Sequence, residues 1–165
     1  LWTGSKATGQ HNGIIPGVSG SFMLDANNNV TGGSFEIEMS TLEDKDLSPE
    51  DGKEKLEGHL KSEDFFHVEK HPTAKFEITE VKAVEAEGYN HMISGNLTMK
   101  DSTNNISFPA MVNMKDGMIT ASTPQFTINR TKWGVLYGSG VIGTIKDKLI
   151  NDEVGIQLNI VAGQN

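Results

Sequence analysis

An all-β chain, closed as an antiparallel barrel of about eight strands with one helical insert, is predicted by three observations. Short runs alternate apolar and polar residues, which puts successive side chains on opposite faces of a half-buried strand. Clusters of turn-forming residues separate those runs at short intervals. One segment alone breaks the alternation, and it carries the start and stop signals of a helix.

The first clear strand is GSFMLDA, in which Phe22 and Leu24 share a face. SFEIEMST follows, with Phe35, Ile37 and Met39 set against Ser34, Glu36, Glu38 and Ser40. AKFEIT, HMISGNLTM, NISFPAMVNM and QFTINR repeat the pattern, and VGIQLNIV lines up Val154, Ile156, Leu158 and Ile160 as a closing strand. ANNN, EGYN, KDSTNN and MKDG are the turns between them. In SPEDGKEKLEGHL, Ser48 stands as N-cap, Pro49 at the first helical position and acidic residues in the first turn, which predicts a helix from about Pro49 to Leu60. Ser62 then caps a short turn through SEDFF, and Pro72 ends any helical continuation and returns the chain to AKFEIT. A barrel is preferred to a sandwich because closure hides the strand edges.

The chain of 165 residues is the size of one domain, with no internal repeat, and the polar stretch from Glu43 to Asp51 is too short for an interdomain linker, so a single domain spans 1–165. Lys and Arg number 14 against 22 Asp and Glu, and the net charge of -8 argues against a nucleic-acid partner. The absence of cysteine removes disulfides, thiolate zinc sites and cysteine nucleophiles together. No apolar run approaches the roughly 20 residues of a membrane helix. The abrupt start at Leu1-Trp2 reads as a trimmed N-terminus.

The stretch GHLKSEDFFHVEKHPTAKF gathers His59, His67 and His71 with Glu63, Asp64 and Glu69. Imidazole and carboxylate are zinc or iron ligands, and His67 and His71 have i, i+4 spacing. Against a metal site, Pro72 directly follows His71 and no HExxH pattern brings in a second ligand pair, so no metal is expected. His67 and His71 are expected at the surface, and Asp64 is expected to cap the short turn or bond nearby backbone. No GxSxG elbow or paired nucleophile and base marks an enzyme, and no catalytic residue is assigned. The run NRTKWGVLYGSG allows two readings. In one, Trp133 and Tyr137 line a mobile lip, with Asn129 or Arg130 touching a ligand head group. In the other, Arg130 pairs with a carboxylate and Trp133 plugs the barrel.

Gly58, His59, Leu60, Ser62, Asp64, Phe65, Phe66, Val68, Pro72, Ala74 and Phe76 form the pattern GHLxSxDFFxVxxxPxAxF, which resembles the helix-to-strand signature of the YceI-like family. WTGSKATGQHNG, SGNLTMKDSTNNISFPA, FTINRTKWGVLYGS and DEVGIQLNIVA extend the resemblance over almost the whole chain. The turn KDSTNN departs from the family's more usual Gly-Val-Thr type, and the first residues of the opening strand are missing. The resemblance implies a lipocalin-like antiparallel barrel enclosing an elongated apolar cavity for one long-chain lipid. It further implies a polyisoprenoid, isoprenoid quinone or fatty acyl ligand and no other cofactor. A home in the bacterial periplasm or envelope follows from it, with transient membrane contact and a homodimer both compatible.

The residues agree independently, because a barrel of roughly eight strands can leave room for one small ligand. Seven Phe and seven Met are available to line it. About twenty buried methylenes contribute roughly 16 kcal/mol gross, against about 4 to 15 kcal/mol for lost freedom. The expected lining is Phe22, Phe35, Ile37, Met39, Leu60, Phe65, Phe66, Phe76, Leu97, Met99, Phe108, Val112, Phe126, Ile128, Trp133 and Leu158. His59, Asn129, Arg130 and Tyr137 are the expected polar head-group contacts. Two rival readings stand beside the carrier: an enzyme using His59 and Asp64 on a lipid-like substrate, and a ligand-free structural or stress-related envelope protein with a filled barrel.

Overall fold

The computed structural model describes residues 1–163. Its strand segments are β1 (Trp2–Lys6), β2 (Gly9–Ile14), β3 (Val18–Leu24), β4 (Val30–Glu38), β5 (Glu43–Asp44), β6 (Thr73–Ala86), β7 (Tyr89–Met99), β8 (Ser102–Lys115), β9 (Met118–Ser122), β10 (Phe126–Asn129), β11 (Glu153–Ile156) and β12 (Asn159–Gly163). One α-helix, α1 (Lys53–Lys61), stands between β5 and β6. The segments form a five-stranded sheet, β10-β11-β1-β2-β5, and a seven-stranded sheet, β12-β9-β8-β7-β6-β4-β3. All pairings within them are antiparallel.

Segments consecutive in sequence continue one another from sheet to sheet, and together they make eight ribbons: β1, β2–β3, β4–β5, β6, β7, β8, β9–β10 and β11–β12. β1 pairs with both β2 and β11 and so closes the ring, which is the predicted barrel. Closure is confined to one end, because β3 and β12 remain the edges of the seven-stranded sheet.

Three of the four broken ribbons have a local cause. Pro16 lies between β2 and β3 and Pro124 between β9 and β10, where a missing N–H interrupts the ladder. A 3-10 turn, Met39–Thr41, separates β4 from β5. VGIQLNIV is therefore not one strand, as its alternation predicts, but two. At the break the Gln157 N–H donates to Leu1 O (3.1 Å) and the Leu158 N–H to Thr123 Oγ1 (2.9 Å), so the ribbon changes partners without leaving a donor unpaired. Pro109 sits inside β8, opposite Met92, but before Met111, where pairing with β9 begins, so its missing donor faces no neighbouring strand.

The helix starts later than predicted. Ser48 organises a turn over 48–53, its Oγ accepting from the Asp51 N–H (3.3 Å) and its carbonyl from the Lys53 N–H (3.3 Å). Gly52, at φ 96°, then makes the left-handed step into α1. Ser62 ends α1, its Oγ donating to His59 O at 2.7 Å, so its side chain does not cap the next turn; its carbonyl opens that turn, accepting from the Phe65 and His67 N–H groups (3.1 and 2.8 Å).

Two hydrophobic clusters line the barrel interior. The first is built on Val30, Ile93, Phe108, Ala110, Val112, Ile119 and Ala121, the second on Met39, Val68, Ala74, Met99, Ile128 and Trp133. Ile106 and Phe126 pack against both and join them.

The β3–β4 turn is held by Asp25. Its carboxylate accepts from Asn29 Nδ2 (3.0 Å) and from the Asn27 and Asn29 N–H groups (2.8 and 2.9 Å). These bonds, led by the Asn29 side chain, hold the Asp25 carboxyl below its ordinary value. A lowered folded-state pKa gives stability that is present above the ordinary carboxylate range and lost as pH falls through the lowered value. Asp25→Asn should therefore flatten the acid limb of a plot of Tm against pH; an unchanged limb would place the acid sensitivity elsewhere.

Candidate functional site

The barrel's inner face is set by register. Phe35, Phe76 and Leu97 are direct cross-strand partners on β4, β6 and β7, so they share a face, and Gly20 and Gly33 oppose Phe35 and Phe22 on that same face. Glycines lie under the rings: a Cβ on Gly20 would sit 2.8 Å from Phe35 Cδ1, and one on Gly33 3.3 Å from Phe35 Cε2. The Phe22 and Phe35 rings meet edge to face at 4.9 Å. Phe76 lies 5.6 Å from Phe108, and Phe108 stacks on Phe126 at 4.7 Å with 9° between the planes, forming an aromatic column across the interior.

Thirteen of the sixteen expected lining residues belong to the two clusters. Phe22, Phe76, Phe108, Val112, Phe126 and Leu158 are in the first, and Ile37, Met39, Phe66, Leu97, Met99, Phe126, Ile128 and Trp133 are in the second, Phe126 counting once. Phe35 joins through its contact with Phe22. Leu60 is half-buried on α1, in neither cluster. Phe65 is buried but forms a separate group with His59 (5.0 Å) and Tyr137 (5.3 Å).

The inner face is not fully covered. Phe22, Phe35, Phe76, Ile78, Leu97, Ile106, Phe126 and Leu158 are only half-buried although they point inward, while their outward neighbours on β4 and β6 are Ser34, Glu36, Lys75 and Glu77. A tightly filled core would close over such rings. Two clefts of about 140 Å³ each reach the molecule's surface. One straddles the seam at Trp2, Gln125 and Gly155. The other opens between the β3–β4 turn and the β8–β9 hairpin and touches Val30, Val112 and Ile119 of the first cluster. Each is below the ~300 Å³ at which pockets for drug-sized ligands begin.

The four expected polar contacts fall into two pairs. Arg130, 3% exposed, donates from Nη1 to Val135 O (2.8 Å), from Nε to Asn151 O (3.1 Å) and from Nη2 to Ile150 O (3.1 Å) and Asp152 Oδ1 (3.4 Å). Burial lowers its pKa against the pull of Asp152. Asn129 Oδ1 accepts from the Thr131 N–H (3.0 Å). Arg130 thus clasps the chain on either side of the 134–150 loop, while Asn129 caps the 3-10 turn Arg130–Trp133. Trp133 is 1% exposed, and its Nε1–H donates to Leu97 O at 2.8 Å, sealing the second cluster. His59 and Tyr137 form the other pair, their rings edge to face at 4.7 Å beside Phe65, with Tyr137 exposed.

The acid and histidine cluster read from the sequence does not converge. His59 Nε2 meets Asp64 Oδ2 at 3.0 Å, so Asp64 bonds a side chain rather than backbone. His71 is not a surface residue: its side chain is 12% exposed and lies 3.6 Å from Asp101. His67 is half-buried at φ 47°. The residues the sequence reading passed over, Val30, Ile93, Ile106 and Ile119, are aliphatic positions in ordinary alternating runs, distinguishable as inward only once register is known.

These features define a lipocalin-like antiparallel barrel with an inward apolar face and a helix inserted between two strands. The chain belongs to the YceI-like family, whose domain model matches residues 2–162. Curated relatives include a UPF0312 protein of Photorhabdus laumondii, 42% identical over 55 residues, 33% of this chain and 25% of the relative. A UPF0312 protein of Pseudomonas aeruginosa is 48% identical over 52 residues, 32% of this chain and 26% of the relative. The alignment thus spans about a quarter of the length of these relatives. Among solved structures, Burkholderia cenocepacia BcnA superposes with TM-score 0.75 at 18% identity, over 98% of this chain and 93% of that one. The Campylobacter jejuni YCEI protein does so with TM-score 0.71 at 17% identity, over 93% and 85%. At these identities the structural likeness establishes the fold.

Proposed function

We propose that the protein is a non-enzymatic carrier or store for one long apolar molecule, such as an isoprenoid quinone, a polyisoprenoid or a fatty acyl derivative, held along the inner face of the barrel. The observation that carries this reading is the inward apolar surface left half-buried around the Phe76–Phe108–Phe126 column. The cleft at Val30, Val112 and Ile119 is the proposed entrance, and flexible Met114 at its rim suits a variable chain. Since Asn129 and Arg130 are committed to the protein's own chain, His59 and Tyr137 are the head-group contacts of choice. Such a carrier belongs in the periplasm or envelope of a bacterium, touching a membrane transiently to load and unload.

Organic extraction of the purified protein followed by mass spectrometry tests the reading. One long-chain species per chain is expected, and a ligand-free protein that also rejects added quinones and fatty amides sinks it. The stacked Phe108–Phe126 pair and the small clefts favour a second reading, a barrel filled by its own side chains, which that negative result would select.

A further inference from the structure

We propose that His11, Asp44 and Asp46 form a binding site for a divalent transition metal of the zinc type, at the β2–β5 edge of the five-stranded sheet and on the face that Asp44 shares with Gly13 and Trp2. One ligand atom from each residue lies within 4.8 Å of the other two. The local ladder brings them together: Gly13 pairs with Asp44, and the Lys45 N–H donates to Asn12 O (2.9 Å), so His11 and Asp46 come side by side one step further on. His11 Nδ1 and Asp46 Oδ2 stand 2.9 Å apart in a hydrogen bond, and a slight parting of the two would let both reach one tetrahedral ion.

The second observation is Asp44. It is 0% exposed, and while its Oδ1 accepts from the Asp46 and Leu47 N–H groups (3.2 and 2.8 Å), its Oδ2 has no hydrogen-bond partner. A buried carboxylate with a free oxygen and no ion pair is costly unless a cation meets it. Lys53, whose charge Asp44 also feels, forms its ion pairs with Glu43 (3.0 Å) and Glu57 (3.9 Å) instead. The Asn12 N–H donates to Asp46 Oδ1 (2.7 Å) and so holds the carboxylate with its Oδ2 turned to His11. Imidazole nitrogen plus two carboxylates is a zinc-type donor set rather than the all-oxygen set of calcium or magnesium. With the His11 and Asp46 side chains 39% and 28% exposed, an ion can enter from solvent and keep a water as a further ligand.

The neighbouring Trp2 supplies both the rival explanation and a reporter. Its Nε1 also lacks a partner, and its ring lies over Gly13, whose cross-strand partners are Trp2 and Asp44. If Asp44 Oδ2 serves only Trp2, no metal will bind. The test is calorimetric titration of the EDTA-treated full chain with zinc chloride, followed in parallel by Tm and tryptophan fluorescence. One saturable site is expected, with a rise in Tm. His11→Ala and Asp46→Asn should each weaken it about tenfold or more, while His67→Ala leaves it unchanged. Absence of saturable binding up to about millimolar zinc, equal affinity in the His11→Ala and Asp46→Asn variants, or calcium binding as tightly as zinc would overturn the proposal. Because both variants alter exposed side chains, folded protein is expected for each, and an unfolded His11→Ala is replaced by His11→Gln.

Discussion

Trp133→Ala should lower the unfolding free energy by about 3–5 kcal/mol, the usual cost of deleting a large buried aromatic. The ring is 1% exposed and packs with Met39, Val68, Ala74, Met99 and Ile128, so its removal leaves a cavity that strands on several sides cannot close together. It also strips the indole donor from Leu97 O, leaving an acceptor to find another partner, worth about 1–3 kcal/mol if it remains buried. Since domains of this size are stable by roughly 5–15 kcal/mol, the variant should unfold at much lower urea. Trp133→Phe keeps most of the packing and loses the hydrogen bond, so it should fall between wild type and Trp133→Ala. A loss under about 1 kcal/mol for Trp133→Ala would mean that Trp133 is a loop residue and not the seal of the second cluster.

Much of this architecture is written in local alternation. SFEIEMST and HMISGNLTM announce their inward residues because one face is apolar and the other is not, and the same period places Phe35, Phe76 and Leu97 on a common face. The GHLxSxDFFxVxxxPxAxF run marks the helix-to-strand passage. What local pattern cannot show is where a continuous run changes partners. VGIQLNIV keeps perfect alternation through Gln157 and Leu158, yet the break there depends on Leu1 and Thr123, which are far away in the chain. The same limit explains Arg130. An arginine in NRTKWGV has no visible acceptor nearby, and only the return of Ile150, Asn151 and Asp152 to its side decides between head group and clasp. Phe65 and Phe66 are adjacent in sequence but serve different places, Phe66 the second cluster and Phe65 the His59–Tyr137 group, because the turn through SEDFF rotates one away from the other. The His11, Asp44 and Asp46 group spans two segments that only the β2–β5 pairing joins, so no spacing rule could have found it.

The glycine at position 95 gives the sharpest way to separate the fold from the cavity. Gly95 lies on β7 opposite Ile78 and Ile106, on the inner face. A Cβ there would collide with Phe76 Cζ, come within 2.6 Å of Phe76 Cε2 and within 2.7 Å of Glu77 O. The Phe76 ring thus uses the absent side chain as its seat, a common reason for glycine inside a strand. Gly95→Ala should force the ring toward Phe108 and Phe126, at an overpacking cost of about 1–3 kcal/mol. The displaced ring occupies the space proposed for the ligand, so lipid recovered by extraction should fall even in protein that remains folded. Phe76→Ala removes the obstacle, and in that background Gly95→Ala should cost less and no longer reduce ligand recovery, apart from the part due to Glu77 O, which persists. A double-mutant cycle measures this directly, because residues in contact couple by about 0.5–3 kcal/mol whereas independent ones add. Additive stabilities, with ligand recovery insensitive to Gly95→Ala, would move the lipid path away from Phe76 and toward the edge between β3 and β12, where the seven-stranded sheet is open.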